Sequence, residues 1–231
     1  KLKGRYLTNP DKYFELFESM LIENKSCFLL DEHIERLEKA AKYFLFSFNK
    51  KKVIRNIEKI IRTTPFTTYK LKIQLTKWGE IKTSLEPKSE APTFVKCVIS
   101  SKKISTQNCY QYFKTTNRNL YNSELKNCIK NGFFEVLFLN EKEQVAEGSF
   151  TNILIKKDGK FYTPSINAGI LDGIYRGFLL KQEAVFEKEL YYNDLVGADE
   201  IMLINSVRKG IIVDEVYNDG ICVYKKLSPN D

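Results

Sequence analysis

A two-domain protein of mixed α/β (α+β) structure is predicted by three features of this sequence. Its 231 residues are 43% hydrophobic and 29% charged, which is too apolar for a disordered chain and too polar for a membrane protein. This length accommodates one large domain or two small ones. Helical and alternating apolar patterns occur on both sides of a polar, irregular stretch at 101–116. We therefore expect an N-terminal α+β domain of residues 1–105, a connection at 106–116 and a larger C-terminal α/β domain of residues 117–231.

The N-terminal domain is predicted to contain two helices and several strands. Its first strand, KYFELFESMLI at 12–22, turns at Lys25 and Ser26 into a short second strand, CFLL. Asp31 is expected to cap a helix that runs through about residue 46. The remaining elements are an amphipathic helix at 51–62, a hairpin at 67–87 that turns at Gly79, and a strand in APTFVKCVIS.

The C-terminal domain is predicted to alternate helices with strands. A helix in NRNLYNSELKNCIKNG ends at Gly132, and a second helix in GILDGIYRGFLLKQEAV begins with glycines. The segments FFEVLFL and ADEIMLINS are apolar enough to be buried strands. Two hairpins complete the sheet, one turning at Asp158 and Gly159 and the other near Asn218, Asp219 and Gly220.

The charge of the chain narrows the classes of partner. A net charge of +8 results from 37 lysine and arginine residues against 29 aspartate and glutamate residues. The basic runs are short and scattered, and no ribonucleoprotein or zinc-finger signature accompanies them, so nucleic-acid binding is not expected. No apolar run approaches the roughly 20 residues of a membrane span, so no membrane partner is expected either. The positive charge instead favours a polyanionic cofactor or a dicarboxylic substrate.

Cysteine and histidine usage restricts the chemistry further. The five cysteines are odd in number and widely spaced, which fits neither a disulfide framework nor a CxxC site and favours a reducing, cytoplasmic location. His33 is the only histidine, which excludes a zinc site built on imidazoles, and we expect no metal. Its place in a helical apolar pattern indicates a packing role. Acid–base chemistry near neutral pH would therefore need a perturbed lysine or carboxylate, or a cofactor.

Four motifs place small, polar and charged residues where predicted elements begin or end. Three of them also have an ordinary explanation. A solvated linker would account for KTTNRNLY, a plain turn for VAEGSFTN, and a helix start for LDGIYR, which we group with LINSVR. Together with HIERLEKAA, their order and spacing resemble the fold-type IV family of pyridoxal-phosphate enzymes, which includes branched-chain and D-amino acid aminotransferases and aminodeoxychorismate lyases. The resemblance runs nearly end to end. It implies a two-domain, D-amino acid aminotransferase-like fold with pyridoxal 5'-phosphate in the interdomain cleft.

Within this family, the strings FELFESM, FLLDEHIERL, KTTNRNLY, LDGIYR and NSVRKG are most similar to aminodeoxychorismate lyases. The implied reaction converts 4-amino-4-deoxychorismate to 4-aminobenzoate and pyruvate in folate biosynthesis. A branched-chain or D-amino acid aminotransferase would use the same cofactor residues and is the alternative enzyme. A domain that keeps the fold and only binds a partner is a third hypothesis, which the presence of Lys114 and Glu147 disfavours.

The resemblance assigns the catalytic centre to Lys114 and Glu147. Lys114 is the lysine that binds the cofactor covalently and, once released, carries a proton between the substrate carbon and the departing pyruvate. This role requires an amine that is neutral for part of the time. Glu147 pairs with the pyridine nitrogen and keeps it protonated, so that the ring accepts electrons.

The resemblance also implies a phosphate site and a substrate site. The phosphate is assigned to a forked cation, a helix N-terminus and a hydroxyl, namely Arg36, the helix-start residues Gly173, Ile174 and Tyr175, and Ser206. Asn152 and Asn205 are expected to orient the surrounding turns. The substrate residues are Ser19, which stands where related enzymes usually have threonine, and the near-site cations Arg118 and Arg208.

The assembly implied by the resemblance is a homodimer in which a loop of the neighbouring subunit closes the site. The chain begins at Lys1, without a methionine and without the usual first strand of the family. We therefore expect either a shortened chain or one half of a bifunctional polypeptide that also contains aminodeoxychorismate synthase.

Overall fold

The computed structural model describes residues 13–65 and 67–227. Within these ranges the chain forms two compact units. The first unit comprises residues 13–88 and 113–118, and the second comprises residues 89–112 and 119–227. The predicted start of the first strand at residue 12 lies outside the described residues.

The first unit is a four-stranded antiparallel sheet with two helices. Its elements are β1 (Leu16–Glu23), β2 (Ser26–Cys27), α1 (Leu30–Tyr43), α2 (Lys50–Thr63), β3 (Tyr69–Leu75) and β4 (Ile81–Pro87). The strands are ordered β2-β1-β3-β4. Both predicted helices and the predicted hairpin at 67–87 are confirmed, and Gly79 has the positive φ of 84° that its turn requires.

The start of α1 differs from the prediction. Leu29 occupies the N-cap position in a left-handed conformation, with φ of 53°, and no side chain caps the helix. Asp31 lies within the first turn, where its carboxylate faces the positive end of the helix dipole instead of capping it. The helix ends at Tyr43, three residues earlier than predicted, because Leu45 takes a left-handed conformation that stops it.

The second unit is built on a ten-stranded sheet. Its strands are β5 (Lys96–Ile99), β6 (Glu135–Leu139), β7 (Val145–Gly148), β8 (Asn152–Lys157), β9 (Lys160–Pro164), β10 (Phe186–Lys188), β11 (Glu200–Asn205), β12 (Lys209–Ile212), β13 (Glu215–Asn218) and β14 (Ile221–Lys225). Its helices are α3 (Asn119–Lys130), α4 (Ile174–Lys181) and α5 (Tyr192–Val196). The sheet order is β10-β9-β8-β7-β6-β5-β13-β14, and β11 pairs with β8 and β12.

The strand β6 explains why FFEVLFL is continuously apolar. Leu137 and Leu139 point into one buried cluster, which β5, β8, β11 and β13 also line. Val136 and Phe138 point to the opposite face, where α3 packs. A strand that is covered on both faces needs apolar side chains at successive positions, which confirms the predicted buried strand.

The boundary between the units differs from the predicted boundary near residue 105. The strand β5 pairs in parallel with β6 and with β13, so it belongs to the sheet of the second unit. The segment 113–118 instead hydrogen-bonds to the first unit, where the Phe17 amide donates to the Lys114 carbonyl at 3.1 Å and the Thr116 amide donates to the Glu15 carbonyl at 2.9 Å. The alternation of apolar residues predicts that a segment is a strand, but it carries no information on which sheet the strand joins, so the boundary was misplaced.

Local turn signals agree with the structure in the second unit. Asp158 and Gly159 have φ of 50° and 75°, and Asp219 and Gly220 have φ of 49° and 80°, as two-residue hairpin turns need. The helix α4 begins only at Ile174, after the glycines that were expected to open it. The short elements β7, β10 and α5 were not predicted, because three to five residues are too few to establish a period.

Among residues 13–65 and 67–227, no helix is both long enough and apolar enough to cross a membrane.

Replacing Asn49 by alanine should destabilise the first unit. The Asn49 side chain caps α2 by accepting a hydrogen bond from the Lys52 amide at 3.0 Å. Its loss should lower the free energy of unfolding by about 1 kcal/mol, measured by urea denaturation. Asn56→Ala is the matched control, since the Asn56 amide only donates to the Lys52 carbonyl within the same helix. An equal loss in both variants would contradict the capping role.

Candidate active site

In the first unit, a buried carboxylate joins the predicted phosphate-binding arginine to the only histidine of the chain. Glu18 of β1 is 1% exposed. It accepts hydrogen bonds from Arg36 Nε at 2.8 Å and Arg36 Nη2 at 2.6 Å, and its Oε2 lies 2.7 Å from His33 Nδ1. His33 and Arg36 are three residues apart on α1 and therefore face the same way. The bidentate contact fixes the orientation of the guanidinium.

Electrostatics in this cluster favour an ionised Glu18 and a neutral His33. Burial alone would raise the pKa of Glu18, but the Arg36 guanidinium and hydrogen bonds from His33 and Arg36 lower it to about 2. Burial lowers the pKa of His33, with the cations Arg36 and Lys114 adding to this effect and Glu18 opposing it. His33 is buried, as its predicted packing role requires, and it also forms a hydrogen bond with Glu18 that the sequence did not indicate.

Lys114 lies on a backbone segment that pairs with β1. Besides the hydrogen bond of its carbonyl to Phe17, the next residue, Thr115, forms a bridge with Leu16. Lys114 Nζ lies 4.6 Å from the centroid of the Phe17 ring, a cation–π distance. Ser19 is half-buried and shares a strand face with Phe17, since alternate residues of a strand point the same way. Lys114 and Ser19 thus lie at the Phe17 face of β1, whereas Arg36 bonds to Glu18, whose side chain points to the opposite face of the strand.

In the second unit, Glu147 is held from three sides. Its Oε1 accepts a hydrogen bond from the Tyr121 hydroxyl at 2.7 Å, and its Oε2 accepts one from the Leu171 amide at 3.0 Å. Asn152, its partner in the β7–β8 pair, has Nδ2 3.5 Å from Oε2 and donates to the Leu171 carbonyl at 3.0 Å. The carboxylate is buried and has one fixed orientation. Tyr121 was not among the predicted site residues.

The N-terminus of α4 adjoins these residues. Gly173 is its N-cap and no side chain caps it, and the first intrahelical hydrogen bond runs from the Gly177 amide to the Gly173 carbonyl at 2.8 Å. The amides of Ile174 and Tyr175 precede that bond, as an anion-binding helix start requires. A Cβ on Gly173 would collide with the Asn152 side-chain oxygen, so this position requires glycine.

A buried arginine anchors α4. Arg176 is 2% exposed, and its guanidinium bonds to the Pro164 carbonyl at 2.8 Å, to Asp172 at 3.3 Å and to Glu187. In the sequence, Arg176 stands out only as part of the LDGIYR motif. The structure makes it the link between α4 and the end of β9.

The predicted residues after β11 form a tight turn. Asn205 Oδ1 accepts the Val207 amide at 3.0 Å and the Arg208 amide at 2.8 Å, while its Nδ2 donates to the Phe150 carbonyl at 3.3 Å. Asn205 therefore orients this turn, and Ser206 within it is buried.

The two predicted substrate cations lie in different units. Arg208, in the second unit, donates to the Ser89 carbonyl at 2.7 Å and to its hydroxyl at 2.8 Å, and it lies 5.8 Å from the Phe134 ring centroid. Burial lowers the pKa of this guanidinium. Arg118 is half-buried at the end of the segment that belongs to the first unit.

A second buried carboxylate builds the turn between β7 and β8. Glu135 is 0% exposed and accepts five hydrogen bonds at 2.6–3.1 Å, from the Ser149 amide and hydroxyl, the Phe150 amide, the Thr151 hydroxyl and the Val136 amide. Burial raises the pKa of Glu135, and the hydrogen bonds oppose that rise. This turn connects Glu147 to Asn152, so Glu135 sets their spacing.

A family model for class IV aminotransferases matches residues 15–216. The chain belongs to the class IV aminotransferase family. This family depends on pyridoxal phosphate, so the chain is a pyridoxal-phosphate enzyme with the mixed α/β fold of that family. The predicted fold class and cofactor are thereby confirmed.

Known members of the family include lyases and aminotransferases. The aminodeoxychorismate lyase of Bacillus subtilis is 27% identical over an alignment of 242 residues, which covers 89% of this chain and 82% of the lyase. The branched-chain-amino-acid aminotransferase of Pseudomonas aeruginosa is 34% identical over 97 residues, covering 40% of this chain and 31% of that enzyme. The crystal structure of 4-amino-4-deoxychorismate lyase from Pseudomonas aeruginosa has a TM-score of 0.78 at 20% identity, covering 93% of this chain and 86% of that chain. This last likeness shows the fold.

The residues of this class IV aminotransferase fit its cofactor. A pyridoxal phosphate presents an aldehyde, a pyridine nitrogen and a phosphate. The first unit offers an amine at Lys114 and the guanidinium of Arg36, whose Nε and Nη2 are bonded to Glu18, so the predicted forked contact of Arg36 with phosphate is taken by a carboxylate. The second unit offers a fixed carboxylate at Glu147 and the N-terminus of α4, which no side chain caps. The absence of a Cβ at Gly173 leaves room for the Asn152 side chain, which also approaches Glu147, so the start of α4 lies close to the residues that surround this carboxylate.

Replacing Glu135 by glutamine should destabilise the second unit. The substituted amide nitrogen would face hydrogen-bond donors in place of a carboxylate oxygen. We expect a loss of about 2 kcal/mol in the free energy of unfolding, measured by urea denaturation. Glu141→Gln is the control, because that carboxylate accepts bonds from Thr106 at an exposed position. Equal, small effects would show that the turn does not depend on Glu135.

Acid should weaken the first unit through Glu18. Because the pKa of Glu18 is about 2 in the folded protein and 4.5 ordinarily, its contribution is complete above pH 4.5 and is lost as the pH falls towards 2. The loss should amount to about 3 kcal/mol in wild type and be absent in Glu18→Gln. Urea denaturation at steps between pH 6 and pH 2 measures both slopes. Parallel slopes would contradict the assignment.

Proposed function

We propose that this class IV enzyme is a 4-amino-4-deoxychorismate lyase, which forms 4-aminobenzoate and pyruvate for folate biosynthesis. The observation that carries the proposal is the similarity to the Bacillus subtilis lyase, which extends over 89% of this chain and thus through both units. The lyase-like strings FELFESM and NSVRKG belong to different units and support the same reaction.

The chain's own residues divide the work of the reaction. Pyridoxal phosphate, when bound, supplies an electron sink for the substrate carbon that bears the amine. Lys114 Nζ would hold the cofactor through its aldehyde until the substrate amine takes its place. The released amine would then take the proton from that carbon and deliver a proton to the departing pyruvate. The Glu147 carboxylate holds a proton on the pyridine nitrogen. We assign the phosphate to Arg36, whose guanidinium Glu18 holds in place, to the amides of Ile174 and Tyr175, and to the hydroxyl of Ser206.

The substrate is a dicarboxylate, which suits a chain of net charge +8. In this proposal Arg118 and Arg208 face its carboxylates, and the Ser19 hydroxyl contacts it from β1. Arg208 is already stacked near Phe134 and bonded to Ser89, which reduces the entropy cost of presenting its charge. We further propose a cytoplasmic homodimer that receives its substrate from aminodeoxychorismate synthase.

An amino-acid aminotransferase is the second candidate. The Pseudomonas aeruginosa branched-chain enzyme is 34% identical over 97 residues, which is a higher identity than that of the Bacillus subtilis lyase over a much shorter part of this chain. The two reactions share the removal of a proton by Lys114 and differ afterwards in where the proton and the substrate carbon skeleton go. The product therefore distinguishes them.

Lys114→Ala should abolish cofactor attachment and turnover. Wild type mixed with pyridoxal phosphate should develop the visible absorption band of the lysine-bound cofactor, and the variant should not. A coupled assay with chorismate, an ammonia source and the synthase then follows 4-aminobenzoate by its fluorescence. Lys70→Ala is the control, an exposed lysine that pairs with Glu86 in the same unit.

Three outcomes have distinct meanings. Formation of 4-aminobenzoate by wild type and Lys70→Ala, and not by Lys114→Ala, supports the lyase. An absorption band with amino transfer to a keto acid, and no 4-aminobenzoate, replaces the lyase by the aminotransferase. A band that persists in Lys114→Ala overturns the assignment of Lys114.

A further inference from the structure

A hydrogen-bonded chain of three side chains ends at Glu147 in the interior of the second unit. The Tyr121 hydroxyl lies 2.7 Å from Glu147 Oε1 and 2.8 Å from Gln111 Oε1. Both Tyr121 and Gln111 are buried. These hydrogen bonds connect the short helical turn at Cys109–Tyr112, the start of α3 and the end of β7.

The number of protons on the Tyr121 hydroxyl decides which group donates in each of its two hydrogen bonds. A phenol has one proton to donate, and an ionised carboxylate accepts more strongly than a neutral amide oxygen. The Tyr121 proton therefore goes to Glu147. A half-turn of the Gln111 amide brings its nitrogen to the hydroxyl oxygen, which then accepts. Each bond polarises the next, so the tyrosine becomes a better donor to the carboxylate.

The surroundings of Tyr121 make this donor rigid. Its ring packs edge-on against Phe138 of β6, with centroids 4.8 Å apart and an interplanar angle of 67°. Tyr121 and Phe138 belong to the buried apolar cluster under α3, together with Ala146, which precedes Glu147. A hydrogen bond in such surroundings is electrostatically stronger than one in water.

We propose that Tyr121 is a positioning residue that holds Glu147 ionised and aimed, and so controls the protonation of the cofactor's pyridine nitrogen. This inference rests on the proposed role of Glu147 and is independent of whether the enzyme is a lyase or an aminotransferase. The Tyr121 hydroxyl bonds to one carboxylate oxygen and the Leu171 amide to the other, so the two bonds together set the rotation about the side chain's last bond. Glu147 acts on the ring nitrogen directly, and Tyr121 acts through Glu147.

Tyr121→Phe tests the proposal because it removes the hydroxyl and keeps the ring against Phe138. With pyridoxal phosphate bound and no substrate present, its visible absorption band should shift in the same direction as that of Glu147→Gln, by a smaller amount. The kcat should fall about tenfold with little change in KM, since the hydroxyl bonds to a charged group and not to the substrate. The affinity for pyridoxal phosphate should change little, because the phosphate contacts remain.

The matched control is Tyr217→Phe, which removes a hydroxyl that donates to the Glu215 carboxylate at 2.8 Å in the same unit. It should leave the absorption band and kcat unchanged. A double variant, Tyr121→Phe with Glu147→Gln, should be no more impaired than Glu147→Gln alone, because Tyr121 then has no carboxylate to position. Circular dichroism and thermal unfolding establish that each variant is folded. Gln111→Met provides a second variant, which removes only the hydrogen bond between Gln111 and Tyr121.

The outcomes separate this inference from the proposed function. If Glu147→Gln alters the band and Tyr121→Phe does not, or if their effects add in the double variant, the role of Tyr121 is overturned. If Glu147→Gln leaves the band unchanged, the roles of both residues are overturned. If the band and the double variant behave as expected and no 4-aminobenzoate forms, the lyase proposal fails and the role of Tyr121 stands.

Discussion

The second unit depends on a carboxylate that has no exposed surface. Glu135 collects five hydrogen bonds from the turn at 148–151 and from its own strand, and among the described residues it forms no ion pair. The backbone of that turn leaves β7 and enters β8, so its amides have no ladder partner and need an acceptor. Because those bonds fix the turn, they also fix Glu147 before it, Asn152 after it and the Phe150 carbonyl that holds Asn205.

The first unit uses a buried carboxylate differently. Glu18 is compensated by Arg36, which lowers the pKa of Glu18 to about 2, whereas burial raises the pKa of Glu135. Removing a charge partner from a buried ion pair costs more than removing one of several neutral donors. Glu18 therefore fixes the orientation of the Arg36 guanidinium, which suits the phosphate-binding role proposed for Arg36. Neither Glu18 nor Glu135 was a predicted site residue, yet each holds predicted site residues in place. Glu18 bonds to Arg36, and Glu135 bonds to the turn between Glu147 and Asn152.

Family membership and reaction specificity rest on different parts of the molecule. In the roles proposed for them, Lys114, Glu147 and the phosphate-binding groups would serve any reaction that begins by removing a proton from the carbon that bears the amine. The family match at 15–216 covers all of these groups. The choice between lyase and aminotransferase depends on how substrate carboxylates are received, where Ser19, Arg118 and Arg208 are the candidate residues. A dicarboxylic substrate would use the positive charge that distinguishes this chain.

Local patterns determined most of the elements and the motifs. The turns at Asp158–Gly159 and Asp219–Gly220, the helix capped by Asn49 and the buried strand β6 follow from neighbouring residues, because their signals lie within a few positions. The motifs also predicted Lys114, Glu147 and Arg36 as site residues. Only the tertiary structure placed β5 in the second sheet, paired Glu18 with Arg36, and brought Tyr121 to Glu147. Those partners are 18 or more residues apart, and a buried carboxylate takes whichever donors the fold brings near, which periodicity does not encode.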